Sequence, residues 1–139
     1  MSATHRLNTF IVEDSAIILE NLVATLEELS PVQVVGSAGD EATAVQWLLQ
    51  GDSQRCNLVI IDVYLRAGSG LGVLRSVAAA GIAAQRVVLT NYATPDMRQK
   101  CMALGAHRVF DKSNELDELI AYCAQLARDD SVSVPGTLA

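Results

Sequence analysis

Apolar positions in this chain follow two patterns that take turns from the N-terminus to about residue 128. Short segments dominated by apolar and β-branched residues, Leu7 to Val12, Val32 to Gly36, Leu58 to Ile61, Arg86 to Leu89 and His107 to Phe110, read as five strands. Between them apolar residues recur three and four apart, the period that lines one face of a helix. Ile18, Leu22, Leu26 and Leu29 predict a first helix over Ala16 to Leu29, capped by Asp14 or Ser15 and finished before Pro31. Asp40 caps a second helix with Ala42, Val45, Leu48 and Leu49 inward and Trp47 on its flank, and Gly51 and Asp52 open the next loop. A Gly-rich loop, Tyr64 to Gly70, leads into a third helix stopped by Gly81. Pro95 starts a short fourth helix whose Met97, Cys101 and Leu104 give it little to hold it down. Glu115 to Arg128 make a fifth, with Leu116, Leu119, Ile120, Cys123 and Leu126 inward. Residues 129–139 show no period and are expected to be a mobile tail, which leaves 1–128 as the one folded domain.

Five strand–helix units in a row predict an α/β fold: a doubly wound, five-stranded parallel sheet in a three-layer αβα sandwich, because parallel strands need right-handed crossovers. A length of 139 residues suits one such domain. With 50% hydrophobic but only 4% aromatic residues, the core must be built from Ala, Val, Leu and Ile. A net charge of -6, with ten Lys and Arg scattered singly, provides no basic stripe for a phosphate backbone and argues against direct nucleic-acid binding. No run approaches the roughly 20 apolar residues that cross a bilayer, so no membrane role is expected and the protein is placed in the cytoplasm. Cys56, Cys101 and Cys123 form no close-spaced pair and are read as packed thiols, and His5 and His107 have no companion ligand.

Chemistry gathers where strands end. Asp62 follows the run Leu58–Ile61 directly, and a carboxylate at the lip of a buried strand costs desolvation unless a ligand uses it. The same rim of a parallel sheet would carry Glu13 and Asp14 after the first strand, Thr90 after the fourth and Lys112 after the fifth. Three carboxylates this close repel each other, and a hard divalent cation such as Mg2+ relieves that repulsion. Beside such a cation Asp62 can act as a nucleophile toward phosphorus, with Lys112 facing the phosphoryl oxygens and Thr90 supplying a hydroxyl.

The chain resembles a receiver domain of bacterial two-component response regulators over about Asn8 to Arg128. The matching pieces are VED at Val12 to Asp14, D-x-x-L at Asp62 to Leu65 with Gly70 eight residues after the aspartate, LTNYAT at Leu89 to Thr94, and DKS at Asp111 to Ser113. The resemblance implies a flavodoxin-like sheet and phosphorylation of Asp62 by a histidine kinase or phosphotransfer protein. It also implies Mg2+ held by Glu13, Asp14, Asp62 and the Tyr64 carbonyl, with Lys112 and Thr90 reading the phosphoryl group. The surface of the fourth helix, fifth strand and fifth helix would then switch, binding a partner or a second copy.

Departures from the family pattern sharpen these expectations. The acidic pair is Glu-Asp, Arg66 stands where Pro is usual, and Ser113 follows the lysine in place of a frequent Pro. Val109 takes the aromatic switch position, with Phe110 beside it. Tyr64 and Tyr92 flank the route of hydrolytic water, which predicts slow loss of the phosphoryl group. Ile17 projects from the first helix near the acidic pair and is read as a docking contact for the phosphodonor. The chain is expected to be a single-domain switch; a longer transcriptional regulator and a non-phosphorylated binding module are the alternatives. An aspartyl-phosphate hydrolase would want a second Asp where Tyr64 stands.

Overall fold

A computed structural model describes residues 6–50 and 56–137, the stretch 130–137 by its backbone only. His5, Gly51 and Asp52 lie outside the described residues. The elements in chain order are β1 (Leu7–Val12), α1 (Ala16–Leu29), β2 (Val32–Ala38), α2 (Glu41–Leu48), β3 (Leu58–Ile61), α3 (Gly70–Ala79), β4 (Gln85–Thr90), α4 (Pro95–Ala103), β5 (Arg108–Asp111) and α5 (Leu116–Thr137). All five strands pair in parallel, in the order β2-β1-β3-β4-β5. The chain therefore turns one way from β1 to β2 and the other way at β3, and open sheets of this flavodoxin-like order form a crevice at that reversal.

Successive residues of a strand face opposite sides of the sheet, so an unbroken apolar run builds two cores at once. Phe10, Val59, Ile61 and Val88 pack with Ala44 and Leu48 of α2, Val73 and Val77 of α3, and Cys101 of α4. Leu7, Ile11, Ile60, Leu89 and Phe110 pack with Leu22 and Leu26 of α1 and Leu119 and Cys123 of α5. Three helices thus cover one face and two the other. Trp47 lies on the flank of α2 and stacks on Phe10, ring centroids 4.2 Å apart at 24°. Gly36 makes room for that stack, since a Cβ there would sit 3.0 Å from the Phe10 ring and 3.1 Å from Trp47.

Helix starts follow their caps: Ser15, Asp40, Ser69 and Thr94 each accept an N–H from the first turn, and Pro95 takes the first position of α4. The inward faces differ in detail from those the spacing predicts. In α1 the covered arc centres on Leu22 and Leu26, with Leu19 and Val23 partly buried, while Ile18 and Leu29 at its margins remain exposed. In α2 the buried pair is Ala44 and Leu48; Ala42 and Leu49 face outward. A short helix with many small apolar residues has no unique stripe, and its seat on the sheet selects one.

Two further differences concern the last third of the chain. α4 is better tied than its apolar content suggests: Arg98 donates to Ala93 O (3.0 Å) and Val109 O (2.9 Å) and pairs with Glu115 (2.8 Å). α5 continues past Arg128 to Thr137: no Gly or Pro stands between Asp129 and Val134, extending a helix costs little once it exists, and Pro135 and Gly136 fall only in its last turn. All three cysteines are buried, and burial pushes the Cys123 thiol up to about 12. His107 precedes β5 and its Nδ1 accepts the Arg86 N–H (2.9 Å); desolvation and the Arg86 charge lower its pKa. Among the described residues no helix is long and apolar enough to cross a membrane.

Candidate functional site

Strand register decides which chain segments meet at the rim. Val12 is level with Ile61, and Ile61 with Val88, so the residues that follow β1 and β3 emerge side by side. The Asp62 N–H donates to Val12 O (3.0 Å) and the Glu13 N–H to Ala38 O (2.9 Å). At the far side Thr90 is level with Asp111, and the Lys112 N–H donates to Thr90 O (2.9 Å). These backbone bonds fix the roots of the side chains before any side-chain contact forms.

Lys112 then reaches back across the crevice. Its Nζ donates to Asp62 Oδ2 (2.9 Å) and to Glu13 Oε1 (2.8 Å), joining positions 50 and 99 residues away. Burial pulls the ammonium's pKa down, but the bonds and charges of Glu13 and Asp62 outweigh it, so the net shift is upward. Glu13 is buried and its second oxygen accepts the Ser15 N–H (3.0 Å). Among the described residues, Asp62 Oδ1 accepts only a long bond from the Tyr64 N–H, 3.3 Å. That oxygen keeps lone pairs for other work.

Thr90 is fully buried, and its Oγ1 accepts the Tyr92 N–H at 3.2 Å, a bond that leaves the hydroxyl's own hydrogen uncommitted. The Tyr64 and Tyr92 rings, both more than half exposed, meet edge to face with centroids 5.0 Å apart at 76°. They join the loops after β3 and β4 at the crevice mouth. Gly70 is required by the approach of α3, since a Cβ there would collide with the Asp62 carbonyl oxygen.

Of the residues that the sequence singled out, Glu13, Asp62 and Lys112 are directly bonded. Asp14 follows Glu13 at the same rim, half-buried, with its backbone against Gly39. Carboxylate oxygens and a carbonyl are the donors a hard divalent cation takes, and here two of the three carboxylates, Glu13 and Asp62, share one ammonium. As the side chains stand, no three His, Cys, Asp or Glu among the described residues are grouped closely enough to hold a metal ion. Phe110 packs inward against Tyr122, 5.9 Å between centroids, and Val109 is also buried.

Near the rim, Glu41 and Arg98 carried no recognisable signal, and Arg66 stood out only as a departure from the family pattern. Arg66 lays its guanidinium beside Gly39, where a Cβ would be 3.2 Å from its amino nitrogen. Nearby, bonds from the Thr43 backbone and hydroxyl hold the Asp40 carboxyl below its usual range, and the Arg66 charge adds to that. Glu41 accepts the Ser69 N–H, and Arg98 ties α4 to the residues around Lys112. A solitary charge reads as a solvated one until its distant partners are known.

Comparison with known proteins gives a consistent picture. A family model described as the response regulator receiver domain matches residues 9–124. The uncharacterized transcriptional regulatory protein YvfU of Bacillus subtilis (strain 168) is 27% identical over 113 residues, which cover 81% of this chain and 55% of that protein. The chain thus spans about half the length of this curated relative. The fold is shared with a LuxR-family two-component response regulator from Aurantimonas sp. SI85-9A1, at TM-score 0.78 and 20% identity, covering 89% of this chain and 86% of the other. It is also shared with the CheX-CheY-BeF3-Mg2+ complex from Borrelia burgdorferi, at TM-score 0.71 and 17% identity, covering 84% and 88%.

Removing the bridging ammonium leaves Glu13 charged, buried and short of a partner. Lys112→Met is expected to lower stability by about 3 kcal/mol, with Glu13→Gln in the same background restoring part of it; urea midpoints of the variants check this. Because the folded pKa of Lys112 lies above its ordinary 10.5, its contribution is complete below pH 10.5 and is lost as pH rises through the higher folded value. The methionine variant should lose less stability than the native chain across that alkaline window.

Proposed function

This chain belongs to the response regulator receiver domain family of two-component systems, and we propose that it takes a phosphoryl group on Asp62 from a histidine kinase or phosphotransfer protein. The observation that carries the reading is the Lys112 ammonium bonded at once to Asp62 and Glu13. Asp62 Oδ1, the oxygen that Lys112 leaves free, attacks phosphorus; the new O–P bond forms as the bond from phosphorus to the donor imidazole nitrogen breaks. Lys112 stands within reach of the incoming oxygens and neutralises charge as it arrives, and the Thr90 hydroxyl can donate its free hydrogen to one of them. Mg2+ on Glu13, Asp14, Asp62 and the Tyr64 carbonyl would supply the positive charge that lets a phosphoryl anion approach three carboxylates.

The chain is then a signalling module in which the transferred group biases a surface. Thr90 draws the segment Asn91 to Gly105 inward, and the face of α4, β5 and α5 meets a partner or a second copy of the chain. Three Arg98 bonds hold α4 in its present place, so the switch must work against them. The inward packing of Phe110 leaves no aromatic rotor in β5 to follow the threonine. A cytoplasmic setting and an acidic surface without direct nucleic-acid contact complete the reading for residues 1–128. A second reading, that these residues are the receiver part of a longer transcriptional regulator, is favoured by the 55% coverage of YvfU.

Incubation with acetyl phosphate and Mg2+ should add the mass of one phosphoryl group to the native chain and none to Asp62→Ala; equal labelling of the two would refute the site. Exchanging Tyr64 and Tyr92 for serine opens the crevice mouth to water and is expected to shorten the acyl-phosphate half-life by about tenfold, followed as phosphate release. Ile17 is 72% exposed. Ile17→Glu should slow transfer from a phosphorylated kinase while leaving labelling by acetyl phosphate unchanged, and equal kinase rates would remove Ile17 from the docking surface.

A further inference from the structure

The loop from Asp62 to Ser69 carries the phosphoacceptor at one end and the expected Tyr64 carbonyl ligand two residues on, and it contains no proline to stiffen it. It is held from outside by one residue of α2. The Glu41 N–H donates to Ala67 O (3.1 Å), and its Oε1 accepts the Ser69 N–H (2.9 Å). Ser69 in turn pairs with Tyr64 in an isolated antiparallel bridge, and the Gly70 N–H donates to Val63 O (2.8 Å). A chain of backbone contacts therefore runs from Glu41 to Tyr64.

The glycines of the loop are shaped around that carboxylate. Gly68 adopts a φ of +76°, and a Cβ on it would collide with the Glu41 side chain; a Cβ on Gly72 would collide with the Glu41 carboxylate. Gly68 and Gly72 thus seat an internal anion at the first turn of α3, while Gly70 between them is required by the Asp62 carbonyl.

We infer that Glu41 is a positioning residue for the phosphorylation site: seated in the Gly68–Gly72 cradle, it fixes the loop that presents Asp62 and the Tyr64 carbonyl. The inference rests on the receiver reading above and adds a residue that touches neither the metal nor the phosphoryl group. Its effect is on affinity and lifetime, because ligands held by a loop bind less tightly when the groups behind them are removed.

The test uses the whole chain, with Mg2+ affinity from calorimetric titration, acyl-phosphate half-life and urea midpoint measured for each variant. Glu41→Ala is expected to weaken Mg2+ binding by about tenfold and to change the half-life severalfold, with Asp62 still labelled. Gly72→Ala, which displaces the same carboxylate without changing any charge, should reproduce both effects and lower the midpoint. In the Glu41→Ala background the same Gly72→Ala should instead raise the midpoint, since Ala suits a helix better than Gly once the collision is gone. Unchanged Mg2+ affinity and half-life in Glu41→Ala, or a Gly72→Ala midpoint effect of the same sign in both backgrounds, would overturn the positioning role. Failure of the native chain itself to accept a phosphoryl group would refute the phosphoacceptor reading instead.

Discussion

One ammonium between two carboxylates holds the working edge of this molecule together. Glu13 and Asp62 stand at neighbouring strand ends in a half-covered crevice, where their mutual repulsion is only weakly screened. The Lys112 Nζ answers both at 2.8 and 2.9 Å, and it can do so only if β1, β3, β4 and β5 end level with one another. A slip of one residue in any strand would send its apolar residues to the wrong face of the sheet and carry the charged residue away with them. The same burial that stabilises the sheet therefore sets the geometry of the charge cluster.

Beyond the strands, the rim is built by loops, and loops have little apolar surface to anchor them. Here polar side chains reach carbonyls and amides that would otherwise go unpaired. Arg98 spans Ala93 O, Val109 O and Glu115, so α4, which buries little besides Cys101, is fixed beside β5 and the start of α5. Glu41 does the corresponding work for the loop after β3. Two solitary charges thus decide how firmly two segments of the rim are held, Glu41 the loop after β3 and Arg98 the helix α4.

Much of this was legible along the chain. Runs such as LVII and FIV announce strands buried on both faces, and the polar residue that ends each one is placed at the rim by topology alone, which is why Glu13, Asp62, Thr90 and Lys112 stood out. The inward faces of the helices were less readable: Ile18, Leu29, Ala42 and Leu49 have the right spacing and the wrong exposure, because spacing defines a stripe without saying where the sheet will cover it. The end of α5 escaped for a different reason. Hydrophobic period marks where a helix packs, and helical backbone can extend beyond its packed part at little cost.

The sequence by itself determined the alternation of strand and helix, the parallel sheet and the residues at its rim, since all of these follow from local periodicity and from the few ways a right-handed crossover can close. Only the tertiary structure decided that Lys112 joins Glu13 to Asp62, that Tyr64 leans on Tyr92, that Glu41 fills a glycine cradle 28 residues away and that Arg98 latches α4 to Glu115. Each of those depends on the direction of a side chain toward a partner distant along the chain. Such directions are set by packing around the pair, which no local pattern of residues records.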